Sequence, residues 1–263
     1  MRIHRQNGFT LIELMIGVVV GLLVVAAAMA MYITSLRASA DALRVMKVNQ
    51  EARTIIAMMV DEMRRAGYWS SATVGSTDDG IPINPFMSRA PADVTDIQVS
   101  ANLQCVTFSY DATHQSVTPG TIEATDVFGF RRVGTAVQIP DHSQPTAATC
   151  NSGPWITLND EAAVWITRLE FSTVGSKCIN MSSNGQLLWE VTDVNAVTPA
   201  CECDDDNICE DYDASLLSGG DVLIEMRQIE IRLDAAHVDD DRIVISLREQ
   251  VKVRNNRVFV FEP

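Results

Sequence analysis

Across 263 residues the chain carries 34 acidic against 20 basic side chains, a formal charge of −14, so its surface repels nucleic acid. No basic patch interleaved with aromatics argues otherwise, and no repeat of fixed period appears. Residues 68–263 are numerous enough to build one sizeable domain with its own core.

The chain opens on a short basic leader holding Arg2, His4 and Arg5, then Gln6, Asn7 and Gly8. Phe9-Thr10-Leu11-Ile12-Glu13 follows at the head of a long apolar run, and after Glu13 no Asp, Glu, Lys, Arg or His occurs until Arg37. About 20 apolar residues cross the hydrocarbon of a bilayer, so residues 9–36 can span one. Glu13 interrupts the run. An unpaired carboxylate there costs up to about 3 kcal/mol at mid-membrane and less near the interface, so Glu13 calls for a partner. Three readings compete. A cleavable secretory signal would use the small-x-small pattern Ala28-Met29-Ala30, but the stretch is longer than an ordinary signal core and runs on without a Gly or Pro break. A plain signal anchor accounts for the length and leaves Glu13 unexplained.

The third reading accounts for both, because Gly8-Phe9-Thr10-Leu11-Ile12-Glu13 closely resembles the amino terminus of type IV pilins and pilin-like proteins. The resemblance implies removal of a leader, residues 1–8, by prepilin peptidase at the Gly8 to Phe9 bond, and N-methylation of the new Phe9 amine. It also implies that Glu13 faces the terminal amine of a neighbouring subunit, and a carboxylate in low dielectric is tolerated when so paired. Loss of the leader removes Arg2 and Arg5, which leaves the mature chain still more acidic.

From Phe9 to Gly67 there is no proline, and Gly17 and Gly21 lie early, where small residues let helices approach closely in a membrane. A single helix of about 59 residues would be about 88 Å long. Residues 9–36 form its membrane-spanning half. Over residues 37–67 the pattern turns amphipathic, with Val45, Val48, Ala52, Ile55, Met59 and Met63 three or four apart. Many major pilins carry a proline partway along this helix, and this chain does not.

Residues 68–263 read as a globular antiparallel β domain. Ser71 to Pro91, with Gly75, Gly80, Pro82, Pro85 and Pro91, reads as a loop between helix and sheet. Short β-branched and aromatic runs then mark strands at Asp96 to Val99, Cys105 to Tyr110, Val127 to Arg132, Trp155 to Leu158, Val164 to Phe171 and Leu187 to Val191. Further runs lie at Val222 to Leu233, Arg242 to Val253 and Arg257 to Phe261. Gln228-Ile229-Glu230-Ile231-Arg232-Leu233 alternates cleanly, as a strand with one face on a core does. Asn255-Asn256 between the last two runs signals a hairpin turn. The expected fold is α+β, a long amino-terminal helix packed across an antiparallel sheet.

Two more segments extend the resemblance. Asp61-Glu62-Met63-Arg64-Arg65-Ala66-Gly67-Tyr68-Trp69 resembles the helix end of PilW-type minor pilins, and Leu247 to Asn255 resembles their carboxy-terminal strand ending in Arg-Asn. The J-type pseudopilin of type II secretion shares much of this layout. On physical grounds Ala66-Gly67-Tyr68 is a helix C-cap with an aromatic clasp.

Cys105, Cys150, Cys178, Cys201, Cys203 and Cys209 all follow the membrane segment. In an oxidising periplasm an even count reads as up to three disulfides. Cys201 and Cys203 are too close to bond comfortably with each other. Cys105 is expected to pair with Cys150, and Cys178 and Cys209 with Cys201 and Cys203 in either order. A zinc site from Cys178, Cys201, Cys203 and Cys209 is the rival, against which stands the missing paired C-x-x-C spacing. The acidic stretch from Asp204 to Asp213, within a loop near 201–209, offers calcium-type oxygens at Asp204, Asp206 and Asp211. It lacks the glycine and distal glutamate of an EF-hand, so a solvated loop is the favoured reading.

No catalytic arrangement and no cofactor motif emerges. His4, His114, His142 and His237 sit in no ligand or triad spacing, and Trp69, Trp155, Trp165 and Trp189 read as core. The resemblance therefore points to a minor pilin of a type IV pilus, at or near its tip, that helps to initiate assembly. It implies as partners other minor pilins, the major pilin, the prepilin peptidase, the inner-membrane assembly platform and a tip adhesin. A pilus-displayed adhesin and an enzyme on a signal anchor are the competing classes.

Overall fold

The computed structural model describes residues 8–70, 77–78, 81–82, 84–87, 96–112, 122–197, 201 and 217–261. Two compact units divide the chain, Met1–Met46 and Lys47–Pro263. Helix α1, Leu11–Met63, contributes residues to both.

In the first unit α1 is almost wholly apolar from Leu11 to Leu36, with Glu13 its one charged residue, and its side chains are exposed through Leu43. It is long and apolar enough to cross a membrane. In the second unit one face of α1 is buried through Val48, Ala52, Ile55, Ile56, Met59 and Met63. Each of the larger side chains contributes about 1.5–3 kcal/mol by leaving water. Val45 shares the spacing but is 48% exposed, so the buried face begins a turn later than the heptad-like pattern implies.

The strands are β1 Thr77–Asp78, β2 Ile81–Pro82, β3 Gln98–Val99, β4 Cys105–Ser109, β5 Val127–Val133, β6 Ala136–Pro140 and β7 Trp155–Thr157. They continue with β8 Val164–Ser172, β9 Lys177–Asn180, β10 Gln186–Glu190, β11 Val222–Met226, β12 Gln228–His237, β13 Asp240–Lys252 and β14 Arg257–Val260. All pairings among the described residues are antiparallel. The orders are β3-β4-β5-β6-β7, β13-β12-β8, β10-β9-β11-β14 and the small pair β1-β2. The layout is α+β, with several sheets in place of the one expected.

The main core joins the buried face of α1 to Val106 and Phe108 of β4, Phe130 of β5, Ile166, Leu169 and Phe171 of β8, and Ile229, Ile231 and Leu233 of β12. A second, smaller core holds Cys178, Val191, Cys201, Leu223 and Phe261.

Four local readings are corrected. The run Val222 to Leu233 breaks at Arg227 into β11, which pairs with β9 and β14, and β12, which pairs with β8 and β13. Its alternation keeps one phase, Leu223, Glu225, Ile229 and Ile231 all being buried, and alternation reports the face of a strand but not its partner. Asn255-Asn256 turns no hairpin: β13 belongs to one sheet, while β14 pairs with β11 in another. Ala136–Pro140 and Lys177–Asn180 are strands without a strong signal, the first because it ends in a proline, which demotes such a run. Within Ser71 to Pro91 lie β1, β2 and a 3-10 turn, Pro85–Met87, whose Phe86 is fully buried.

Candidate assembly site

Gly8, Phe9 and Thr10 precede the helix and are exposed, Phe9 at 89%. Thr10 is the N-cap. Its Oγ1 accepts the Glu13 N–H at 3.3 Å, while the Glu13 carboxylate accepts the Thr10 N–H at 3.1 Å and the Thr10 hydroxyl at 3.0 Å. Thr10-x-x-Glu13 is thus a capping box, a signal present in the sequence that the pairing argument for Glu13 passes over. It gives Glu13 a second role inside its own helix, as the group that satisfies an orphan amide at the helix start. The carboxylate stays exposed and open to further partners.

At its other end α1 stops at Met63, and residues 64–67 continue as turns, so the helix is shorter than the 9–67 expected. Gly67 has φ +72°, the left-handed conformation of a C-cap glycine, and a side chain there would collide with Met87 and Arg227. The segment just after β13 supplies the missing donors. Arg254 donates its N–H to the Arg64 carbonyl at 3.2 Å, and Asn255 Nδ2 donates to the carbonyls of Arg65 and Ala66 at 3.3 and 3.1 Å. Arg227 holds the Asn255 carbonyl at 2.7 Å and forms a buried ion pair with Asp96. The two segments that resemble minor pilins at opposite ends of the chain therefore meet, the second closing the helix that the first ends. On the same turn the Tyr110 hydroxyl donates to Glu62 at 2.6 Å. Burial, reinforced by the Glu62 carboxylate, raises the Tyr110 pKa well above its ordinary value and keeps the phenol protonated as donor.

Cys105 is bonded to Cys150, and Cys178 to Cys201, which takes one of the two orders left open for that group. The second bond overturns a zinc site that needs Cys178 and Cys201 as thiolates, and no metal-ligating cluster occurs among the described residues. Cys203, Cys209, Asp204, Asp206 and Asp211 lie outside the described residues, and so do His4 and His114.

Of the remaining histidines, His142 Nε2 donates to the Val127 carbonyl at 3.0 Å, and its ring stands edge-on to Phe128. His237 Nδ1 accepts the Asp239 N–H. The tryptophans are dispersed. Trp69 is buried, but Trp165 is 40% exposed on the outer face of β8, an edge strand whose neighbours Val164 and Ile166 point inward.

Comparison with known families adds two matches. Residues 41–253 match the family described as prepilin peptidase-dependent protein B, and residues 3–29 match the prokaryotic N-terminal methylation motif. No curated protein and no solved structure matches the chain. The first match covers the second half of α1 and the β strands through β13, ending just before Arg254 and Asn255; the second covers Gly8, Phe9 and Glu13. With a capped apolar helix at one end and that helix closed by the segment after the last long strand at the other, the chain belongs to the prepilin peptidase-dependent protein B family of type IV pilin-like minor pilins.

Proposed function

We propose that this protein is a minor pilin that is cut between Gly8 and Phe9, enters a type IV pilus at or near its tip and helps to initiate assembly. The observation that carries the reading is the apolar half of α1: a wholly exposed hydrophobic helix whose one carboxylate, Glu13, sits a single turn from the Phe9 amine that cleavage would create. Such a surface is tolerated first in a bilayer and then in a bundle of like helices. Residues 37–263 would face the periplasm, in keeping with two disulfides, which persist in oxidising compartments. The partners in this reading are other minor pilins, the major pilin, the inner-membrane assembly platform and a tip adhesin.

Glu13→Gln tests it. Glutamine serves equally in a capping box, so the helix start is kept and only the charge is lost. Cleavage and membrane insertion should be unchanged, while the amount in sheared pilus fractions falls, because pairing with a neighbour's amine in low dielectric is worth several kcal/mol. Normal amounts of the variant in sheared pili would exclude the assembly role of Glu13. Deleting the gene separates assembly from display: loss of pili supports initiation, whereas normal pili that fail to adhere support an adhesin.

A further inference from the structure

The turn at 100–104, strands β4 and β5 and the turn at 149–152 line a cleft of about 720 Å³, fastened at one wall by the Cys105–Cys150 disulfide. Arg131 and Arg132 line it, and among the described residues no aspartate or glutamate does, in a chain with 34 acids. Other strand arginines face carboxylates. Arg168 pairs with Glu170 and Asp234, Arg232 and Arg248 with Glu230, Arg242 with Asp240, and Arg257 with Glu225. Arg131 and Arg132 face none among the described residues.

Arg131 is held in place without being neutralised. Its Nε donates to Gln138 Oε1 at 2.8 Å, and its guanidinium lies 4.5 Å from the centroid of the Trp155 ring. The β4–β5 register sets it opposite Cys105. Burial lowers its pKa from the usual arginine value, a cost that a bound anion would offset. Arg132 is fixed by a 2.7 Å bond from Nη1 to the Gly134 carbonyl.

The rest of the lining is neutral and hydrogen-bonding, including Ser100, Asn102, Gln104, Thr149 and Asn151. Amides and hydroxyls both donate and accept, which matches sugar hydroxyls; the carboxylates of an acidic peptide only accept. The volume lies within the range of about 300–1,000 Å³ typical of small-ligand sites.

We propose that this cleft binds an acidic oligosaccharide, with a sugar carboxylate held by Arg131, on the face of β5 opposite Cys105, and the hydroxyls by the neutral side chains around it. The site is independent of the assembly function, since none of its residues lies on α1. Calorimetric titration of the full mature chain in detergent micelles with tetragalacturonate tests it, alongside the fully methyl-esterified tetrasaccharide and a tetra-aspartate peptide. Tetragalacturonate should bind, and the ester and the peptide should bind at least about tenfold more weakly, the loss expected when a charge-assisted contact is removed. Arg131→Gln should weaken binding similarly, as should Asn151→Asp, which places a carboxylate at an exposed position in the cleft without touching Trp155. Arg168→Gln, on β8 outside the cleft, should bind as the wild type does. No binding of tetragalacturonate, equal binding of the ester or the peptide, or wild-type affinity in Asn151→Asp would overturn the proposal; the last holds even if Arg131→Gln fails to fold.

Discussion

Glu230 shows how a single residue turns charge into stability. It is 1% exposed, and its two carboxylate oxygens accept from Arg232 Nε at 2.6 Å and Arg248 Nη2 at 2.5 Å. Burial alone would raise its pKa, but the hydrogen bonds from Arg248, Arg232 and Gln250 prevail and hold it below the ordinary carboxylate value. A group whose folded pKa is depressed contributes stability that is present above its unfolded pKa and is lost as pH falls through the folded one. Thermal melts of the full chain in acid should therefore show a wild-type loss, below the ordinary glutamate range, that Glu230→Gln lacks. Near neutral pH the variant should be less stable by about 1–3 kcal/mol, the worth of hydrogen bonds to a charged group. Glu13 teaches a complementary lesson: a residue singled out for its charge also caps its own helix, so only a glutamine substitution isolates the charge.

Helix α1 is finished by other elements. Asn255 on the segment after β13 caps two carbonyls of the Arg65-Ala66 turn, and Arg227 between β11 and β12 braces Asn255. Asn255→Ala should lower stability by about 1–2 kcal/mol, two bonds of modest net worth, as read from the denaturant midpoint at unchanged slope. The disulfides act at the same scale. Cys105–Cys150 spans 45 residues and joins the β4–β5 wall to the turn before β7. Replacing both cysteines by serine should destabilise the protein by about 4 kcal/mol on the chain-entropy model, and mass analysis after alkylation of the unreduced wild type should find neither thiol free. Asn255 also marks how far local patterns go. Two asparagines between strand-like runs suggest a hairpin, yet here the first of them is spent on a helix end and the strands on either side go to different sheets.

For the whole molecule, the decisive prediction is where the mature chain begins. Amino-terminal mass analysis should find a methylated Phe9; a start at Met31, after Ala28-Met29-Ala30, would mean an ordinary secreted protein. The methylation-motif match over residues 3–29 and the exposed apolar helix both belong to a chain whose first unit is made to be covered by something else, lipid or neighbouring helices.

Much of this was determined by the sequence alone. The methylation motif that holds Gly8, Phe9 and Glu13, the proline-free helix and most strands can be read directly, because each depends on residue type and short-range period, and so can the buried stripe from Val48 to Met63. Tertiary structure decided the rest. It divided Val222 to Leu233 between two sheets, turned the Asn255 corner into a cap, bonded Cys178 to Cys201, and set Arg131, with no carboxylate partner among the described residues, opposite Cys105. The physical reason is common to all four: each depends on which distant segment arrives as a neighbour, and no local period or composition carries that information.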